Sequence, residues 1–283
     1  MKTYNDLMHS YRQELRERDI PEATLRTFLF ELTSEMGIDL YRDKDQPANE
    51  ELVKRFEEGM QRILKHEPMN YVLGYSWFYG YRFKVDQRVL IPRYETEELV
   101  ALILKECDSF FKGQKEVTAA DIGCGSGAIA LSVKKEDPRF QMYATDISEE
   151  ALSLAEENSR ALEADVTFFC GDMLEPIKEK GIRLDVLISN PPYIPNKEEL
   201  EESVRDYEPH VALFGGEKGV DFYEILLSGA KDVMKERGMI FFEIGYNQKD
   251  MILAKAEKYF PGADMRVEKD INGKDRMFCL KFE

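Results

Sequence analysis

The fold is decided by one stretch, Leu184–Tyr193, which reads Leu-Asp-Val-Leu-Ile-Ser-Asn-Pro-Pro-Tyr. Its first part, Leu184–Ser189, is an apolar run typical of a strand that is buried on both faces of a parallel sheet. Neither Pro191 nor Pro192 has an N–H group to donate, and the residue before a proline is held extended, so the ladder cannot continue. The strand therefore ends in a stiff turn.

We call this turn, residues 190–193, the lip. It presents the side-chain amide of Asn190, rigid backbone carbonyls and the ring of Tyr193. Open α/β sheets bind their ligands at the carboxyl ends of strands, which is where the lip lies. The lip therefore predicts a site for a flat, polar group, and the alternative is a plain Pro-Pro turn with an asparagine cap.

Strands and helices alternate from Glu95 to the end of the sequence, which predicts an α/β fold with a doubly wound, mostly parallel sheet. Only residues 270–275, which include Asn272-Gly273, separate the last two strands, so we expect the last strand to be antiparallel. The predicted strands are 117–122, 141–145, 166–170, 184–189, 239–244, 265–269 and 277–282. The predicted helices are 95–107, 127–135, 149–162, 220–236 and 248–259.

Two segments precede this alternation. Residues 1–72 carry apolar positions at helical spacing and predict a small N-terminal helical bundle, which is either a scaffold or a docking domain for a partner. Residues 73–94 are rich in aromatic strand formers and predict a β-hairpin linker. We place its turn at Asp86-Gln87 and its return strand at Val89–Ile91. Residues 95–283 then form the third domain.

A glycine-rich loop follows the first predicted strand of this domain. It reads Asp121-Ile122-Gly123-Cys124-Gly125-Ser126-Gly127, and its glycines allow a tight turn and a close approach to a ligand. About twenty residues later, Asp146 ends the next strand, where a carboxylate can accept both hydroxyls of a ribose. Together they predict a cofactor of the adenosine type, either a nicotinamide dinucleotide or S-adenosylmethionine.

Two features favour S-adenosylmethionine over a nicotinamide cofactor. The loop has an extra glycine, Gly127, which a pyrophosphate-binding helix start does not need. An antiparallel last strand is also unusual for a dehydrogenase sheet. After the third strand, Asp172 and Met173 could bind the amino group and the face of an adenine, or could simply be a solvated end of a strand.

Composition narrows the function classes. The chain has 283 residues, of which 43% are apolar, and a net charge of −16 that repels nucleic acid at long range. Its four cysteines form no Cys-x-x-Cys pair and its three histidines are scattered, so we expect no metal site. No apolar run could span a membrane and no signal peptide is evident, so we expect a cytoplasmic protein.

The order of glycine loop, Asp146 and lip resembles class I S-adenosylmethionine-dependent methyltransferases that methylate planar nitrogens. Within this class the chain resembles, over nearly its whole length, the N5-glutamine methyltransferases of peptide chain release factors. Two positions depart from that pattern: Tyr94 stands where the family usually has proline, and Met173 where some relatives have an aromatic residue. The further segments that carry the resemblance are 90–97, 208–209, 212–216 and 270–276.

The resemblance implies methyl transfer to the glutamine of the Gly-Gly-Gln motif of class I release factors, with Asn190, Pro191, Pro192 and Tyr193 as the catalytic tetrapeptide. A glutamine amide is a poor nucleophile with two N–H donors. One of these N–H groups can donate to the Asn190 side-chain oxygen and the other to the Pro191 carbonyl, which orients the glutamine nitrogen. Tyr193 packs on the plane of the substrate amide. The cofactor would then be bound by Asp121, Ile122, Gly123, Cys124, Gly125, Asp146, Asp172, Met173 and Asn190.

Two other readings remain open at this point. A DNA or RNA amino-methyltransferase, acting on adenine N6 or cytosine N4, could use the same tetrapeptide. The acidic net charge and the lack of a basic recognition segment count against direct binding of nucleic acid. A non-catalytic module that senses the cofactor is the third reading, and the intact lip counts against it.

Overall fold

The computed structural model describes residues 2–283, which fold into two compact units. One unit contains the chain up to Tyr75 together with Leu200–Tyr207. The other contains Ser76–Glu199 and Glu208–Glu283, and we call it the sheet unit. The chain thus leaves the sheet unit shortly after the lip and returns to it before Pro209.

The helices account for most of the first unit and for both layers that cover the sheet. They are α1 (Tyr4–His9), α2 (Arg12–Arg16), α3 (Glu22–Glu35), α4 (Glu50–Ile63), α5 (Met69–Leu73), α6 (Tyr94–Phe110), α7 (Ala128–Glu136), α8 (Glu149–Leu162), α9 (Glu175–Glu179), α10 (Glu202–Tyr207), α11 (Asp221–Val233) and α12 (Lys249–Tyr259). The strands are β1 (Tyr75–Phe78), β2 (Tyr81–Lys84), β3 (Val117–Ile122), β4 (Phe140–Asp146), β5 (Val166–Cys170), β6 (Leu184–Ser189), β7 (Met234–Glu243), β8 (Asp264–Lys269) and β9 (Asp275–Phe282).

The helical unit is built around one apolar cluster. Phe28 of α3 stacks on Phe56 of α4 with ring centroids 5.9 Å apart, and both side chains are buried. The α4 helix begins where the Asn49 side chain accepts the backbone N–H groups of Glu51 and Leu52, which is an ordinary N-cap. Within this unit, the Tyr207 hydroxyl at the end of α10 donates to a backbone carbonyl.

The sheet has the strand order β5-β4-β3-β6-β7-β9-β8. The five strands from β5 to β7 are parallel, whereas β9 pairs antiparallel with both β7 and β8. This confirms the predicted α/β fold, with its doubly wound, mostly parallel sheet, its antiparallel last strand and a helical region before it. Two apolar clusters cover the two faces of the sheet.

The predicted turn of the β-hairpin is wrong. The turn lies at Tyr79-Gly80, whose φ angles of 51° and 78° suit the two-residue turns that join tightly paired strands. The residues around Asp86 form a loop instead, because the Asp86 side chain accepts the backbone N–H of Arg88 and its backbone carbonyl accepts the N–H of Val89. The sequence did not predict a turn at Gly80, because residues that favour strands lie on both sides of it.

Candidate active site

The glycine loop follows β3 at the point where the strand order reverses, because β4 lies on one side of β3 and β6 on the other. Such a switch point opens a crevice at the carboxyl ends of the strands. Gly123 and Gly125 have φ angles of 75° and 53°, a region in which a residue with a Cβ is strained. The loop is held open because the N–H groups of Gly123 and Cys124 both donate to the Thr145 carbonyl.

Asp146 is tied to this loop by its carboxylate. One oxygen accepts the N–H of Gly125 at 2.9 Å and the other accepts the N–H of Ser148 at 3.0 Å. Burial raises the pKa of Asp146, and these backbone hydrogen bonds act in the opposite direction. Each carboxylate oxygen keeps a further lone pair, so the group can still accept hydroxyl donors from the crevice.

Asp121, in β3, is more deeply buried than Asp146. Its side chain is 1% exposed, with one oxygen accepting the N–H of Ala130 at 3.2 Å and the other having no partner among the described residues. Burial, helped by the charge of Asp146, raises the pKa of Asp121 to about 7. An unpaired buried acceptor of this kind holds a proton more readily than a solvated carboxyl group.

We therefore expect replacement of Asp121 by asparagine to change how stability depends on pH. Well below pH 4 the wild-type carboxyl is protonated in both the folded and unfolded states, and at pH 4 the unfolded chain has only begun to ionise. As the pH rises from there to 7, the unfolded chain ionises first, so the wild type loses stability that the neutral variant keeps. The difference in free energy of unfolding should shift in favour of Asp121→Asn by at most about 4 kcal/mol.

Denaturant titrations of both proteins without cofactor, from pH 4 to 8, measure this difference. The value at pH 4 serves as the internal control, because any effect of the amide on packing is independent of pH. A difference that stays constant across this range would show that Asp121 is already ionised in the fold.

A cavity that is partly open to solvent lies at the switch point. Of the predicted site residues, the wall includes Gly123, Cys124, Gly125, Asp146, Asp172, Met173, Asn190 and Pro192. Asp121, Ile122, Pro191 and Tyr193 lie outside the wall. The other lining residues are Arg88, Val89, Leu90, Pro92, Arg93, Thr96, Ser126, Ala128, Ile129, Thr145, Ile147, Ser148, Ala151, Gly171, Pro209, Val211, Ala212 and Phe222.

The lip is held by residues 213–215, which form a single β-bridge with the residue after it. The N–H of Ile194 donates to the Leu213 carbonyl and the N–H of Gly215 donates back to the Ile194 carbonyl, at 3.0 and 2.9 Å. A Cβ at Gly215 would lie 2.3 Å from the carbonyl oxygen of Pro192, so only glycine fits there. This contact fixes the backbone of the lip without using any atom of Asn190.

Comparison with known proteins places the chain in a family. Residues 6–74 match the PrmC N-terminal domain and residues 101–206 match the Methyltransferase small domain. The release factor glutamine methyltransferase of Bacillus subtilis is 38% identical over 285 residues, which cover 99% of this chain and 98% of that protein. The protein of the same name from Bacillus cereus is 41% identical over 240 residues, or 84% of each chain.

This chain belongs to the release factor glutamine methyltransferase family. The membership confirms the resemblance seen in the sequence, the prediction that the chain is a methyltransferase, and S-adenosylmethionine as its cofactor. A methyltransferase from Pyrococcus furiosus has the same fold, with a TM-score of 0.52 at 19% identity over 80% of this chain and 98% of that chain. No helix among residues 2–283 is long and apolar enough to cross a membrane.

The residues on the cavity wall suit this methyltransferase cofactor. The open glycine loop lets a ligand approach the backbone, because nothing lies within 4 Å of a Cβ built at Gly123 or Gly125. Asp146 offers acceptor lone pairs at the end of β4, and Met173 offers an apolar surface after β5. Met173 is held in place where its carbonyl accepts the hydroxyl of Thr145 at 3.2 Å.

Four buried residues to which the sequence assigns no role form hydrogen bonds around the site, and three of them, Gln248, Glu243 and Thr96, bond to the lip itself. The buried Gln248 side chain donates to the carbonyls of Tyr193 and Gly219 and accepts the N–H of Gly245. Glu208, also buried, binds the Arg93 guanidinium at 2.5 Å. Glu243 and Thr96 complete the set, and Thr96 is a buried side chain rather than a helix cap. In the sequence, the only signal for Glu208 was its place beside Pro209 in the segments that carry the resemblance.

Proposed function

We propose that this chain transfers a methyl group to the side-chain amide nitrogen, N5, of the glutamine in the Gly-Gly-Gln motif of class I peptide chain release factors. The observation that carries this proposal is that Asn190 lies on the wall of the same cavity as Gly123, Gly125 and Asp146. An amide that accepts substrate N–H groups thus lies in the compartment that suits the methyl donor.

When bound, S-adenosylmethionine supplies an electrophilic methyl group on a sulfonium. The chain's own part is to hold the substrate amide in a reactive orientation. Asn190 Oδ1 accepts one N–H of the glutamine amide, which turns the nitrogen lone pair towards the methyl donor. Acceptance of the second N–H by the Pro191 carbonyl stays a prediction, because Pro191 is not part of the cavity wall. Holding the reacting groups in line contributes on the order of several kcal/mol to the rate.

The rest of the lip and the loop have supporting roles in this proposal. Pro192 contributes to the cavity wall, and Gly123, Cys124, Gly125, Asp146, Asp172 and Met173, which also line it, hold the cofactor. A direct contact of Asp121 or Ile122 with the cofactor stays a prediction, because neither residue is part of the wall. Packing of the Tyr193 ring on the substrate amide stays a prediction, because its hydroxyl donates to Glu243 and the ring is not part of the wall.

The partner in this proposal is a protein in the cytoplasm, and the helical unit (predicted as residues 1–72) helps to dock it. The net charge of −16 supports a protein rather than a nucleic acid. In the domain division predicted from the sequence, the other two domains are the β-hairpin linker, residues 73–94, and the cofactor-binding catalytic domain, residues 95–283.

A labelling experiment tests the proposal. The protein is incubated with methyl-labelled S-adenosylmethionine and, in parallel reactions, with a purified class I release factor, with the same factor whose Gly-Gly-Gln glutamine is replaced by alanine, and with duplex DNA. We expect label on the intact release factor alone. Label on DNA would favour the amino-methyltransferase reading, and cofactor binding with no label on any partner would favour the sensing module.

A further inference from the structure

Glu243 is a buried carboxylate behind the lip. It is the last residue of β7 and is 2% exposed. One carboxylate oxygen accepts the hydroxyl of Thr96 at 2.6 Å, and the other accepts the hydroxyl of Tyr193 at 3.3 Å. The first bond is short, as hydrogen bonds to a charged acceptor are.

The Thr96 hydroxyl therefore has its hydrogen committed to Glu243. A hydroxyl has one hydrogen and two lone pairs, so towards any other neighbour Thr96 Oγ1 can only accept. That neighbour is the side-chain amide of Asn190, which lies 3.4 Å away and donates through Nδ2. With Nδ2 turned to Thr96, the Oδ1 atom of Asn190 is left for the substrate.

We propose that Glu243, acting through Thr96, fixes the orientation of the Asn190 amide so that its oxygen faces the substrate. Glu243 is thus a positioning residue for the reaction, and this inference rests on the proposed function. The opposite orientation would set the NH₂ group of Asn190 against the NH₂ group of the glutamine, two donors with no acceptor between them.

We call the two hydrogen bonds that join Glu243, Thr96 and Asn190 the relay. The relay requires Glu243 to remain a carboxylate, since a protonated Glu243 could donate to Thr96 and free the threonine hydrogen. Burial, the largest cause, raises the pKa of Glu243 above its usual value, and the charge of Glu95 adds to this. The Thr96 and Tyr193 hydrogen bonds and the positive charge of Arg276 oppose the rise without cancelling it. Arg276 is itself held by the carboxylate of Asp270 and by the carbonyl of Ile244, the residue after Glu243.

The test uses Thr96→Val, which keeps the shape of the side chain and removes its hydroxyl, and Thr96→Ser, which keeps the hydroxyl. With release factor as substrate, we expect the kcat of Thr96→Val to fall about tenfold, as an unrestrained amide loses part of its correct orientation. The KM values for cofactor and release factor should change little, and Thr96→Ser should regain most of the wild-type kcat. Glu243→Gln should lower kcat in the same way and add little to the effect of Thr96→Val, because both break one relay.

The matched control is Tyr223→Phe. The Tyr223 hydroxyl is buried and donates to the backbone carbonyl of Glu243 at 2.8 Å, so its loss disturbs the same residue but not its carboxylate. We expect this variant to be less stable and to keep its kcat. Equal losses for Thr96→Val and Thr96→Ser, a change confined to the KM for cofactor, or additive effects of Thr96→Val and Glu243→Gln would overturn the positioning role. A wild-type protein that labels no release factor would instead overturn the proposed function.

Discussion

Replacing Asn190 by alanine is expected to lower the rate of methyl transfer about 10²- to 10³-fold, while cofactor affinity stays close to that of the wild type. The variant loses the acceptor that orients the substrate nitrogen, and removal of one such oriented group from an active site typically costs a factor of about 10² to 10³ in kcat. Cofactor affinity depends mainly on Asp146 and the glycine loop, whose contacts with each other do not involve Asn190.

The measurement is single-turnover transfer to the release factor, with calorimetric titration of the demethylated cofactor as the readout of binding. Asn196→Ala is the matched control, because Asn196 is an exposed asparagine beyond the lip whose backbone N–H donates to Gly216. If Asn190→Ala loses cofactor binding as strongly as transfer, the acceptor role assigned to Asn190 is wrong.

Replacing Asp146 by alanine is expected to weaken cofactor binding about 100-fold, and the loss of transfer should follow from that weaker binding. Two hydrogen bonds to a charged acceptor contribute on the order of 3 kcal/mol, which corresponds to this factor. The substitution also leaves the N–H groups of Gly125 and Ser148 without their side-chain acceptor, which loosens the loop.

Calorimetry with the cofactor measures the change, and transfer at saturating cofactor should approach the wild-type rate. Asp165→Ala is the control, since Asp165 is an exposed aspartate directly before β5. Unchanged cofactor affinity in Asp146→Ala would remove this residue from the ribose site.

Much of the sheet unit could be predicted from the sequence because its signals are local. The apolar runs of β3, β5 and β6 begin and end where the sequence predicted, since glycines, aspartates or prolines mark their ends. The short gap between the last two strands also predicted their antiparallel pairing correctly. The glycine loop, Asp146 and the lip were visible for the same reason, as they directly follow buried strands.

The support behind the lip could not be predicted, because it depends on contacts between residues far apart in the chain. Thr96 and Glu243 are 147 positions apart, and Tyr193 and Glu243 are 50 apart. A buried glutamate at the end of a strand looks, in the sequence, like an ordinary solvated group. Only the sheet order, which places β7 beside β6, brings Glu243 next to the lip.

The segment after the lip shows a similar limit. In the sequence, residues 197–206 are a charged segment that predicts either a solvated surface loop or a lid that orders on substrate binding. In the structure, α10 belongs to the helical unit, where the Tyr207 hydroxyl donates to the Lys65 carbonyl and Glu202 lies 3.5 Å from His66. The residues in each of these contacts are more than 130 positions apart in the chain, so no local sequence pattern predicts the contacts.

The central claim, that the lip methylates a glutamine amide, is tested most directly by locating the transferred methyl group. Tandem mass spectrometry of the release factor after reaction, with cofactor present in excess, identifies the modified residue and atom. We predict one methyl group per release factor, on the side-chain nitrogen of the Gly-Gly-Gln glutamine, and about 1% or less of that methylation in the same reaction time when Asn190→Ala replaces the wild-type enzyme. A methyl group on any other residue, or one that Asn190→Ala transfers at the wild-type rate, would contradict the account.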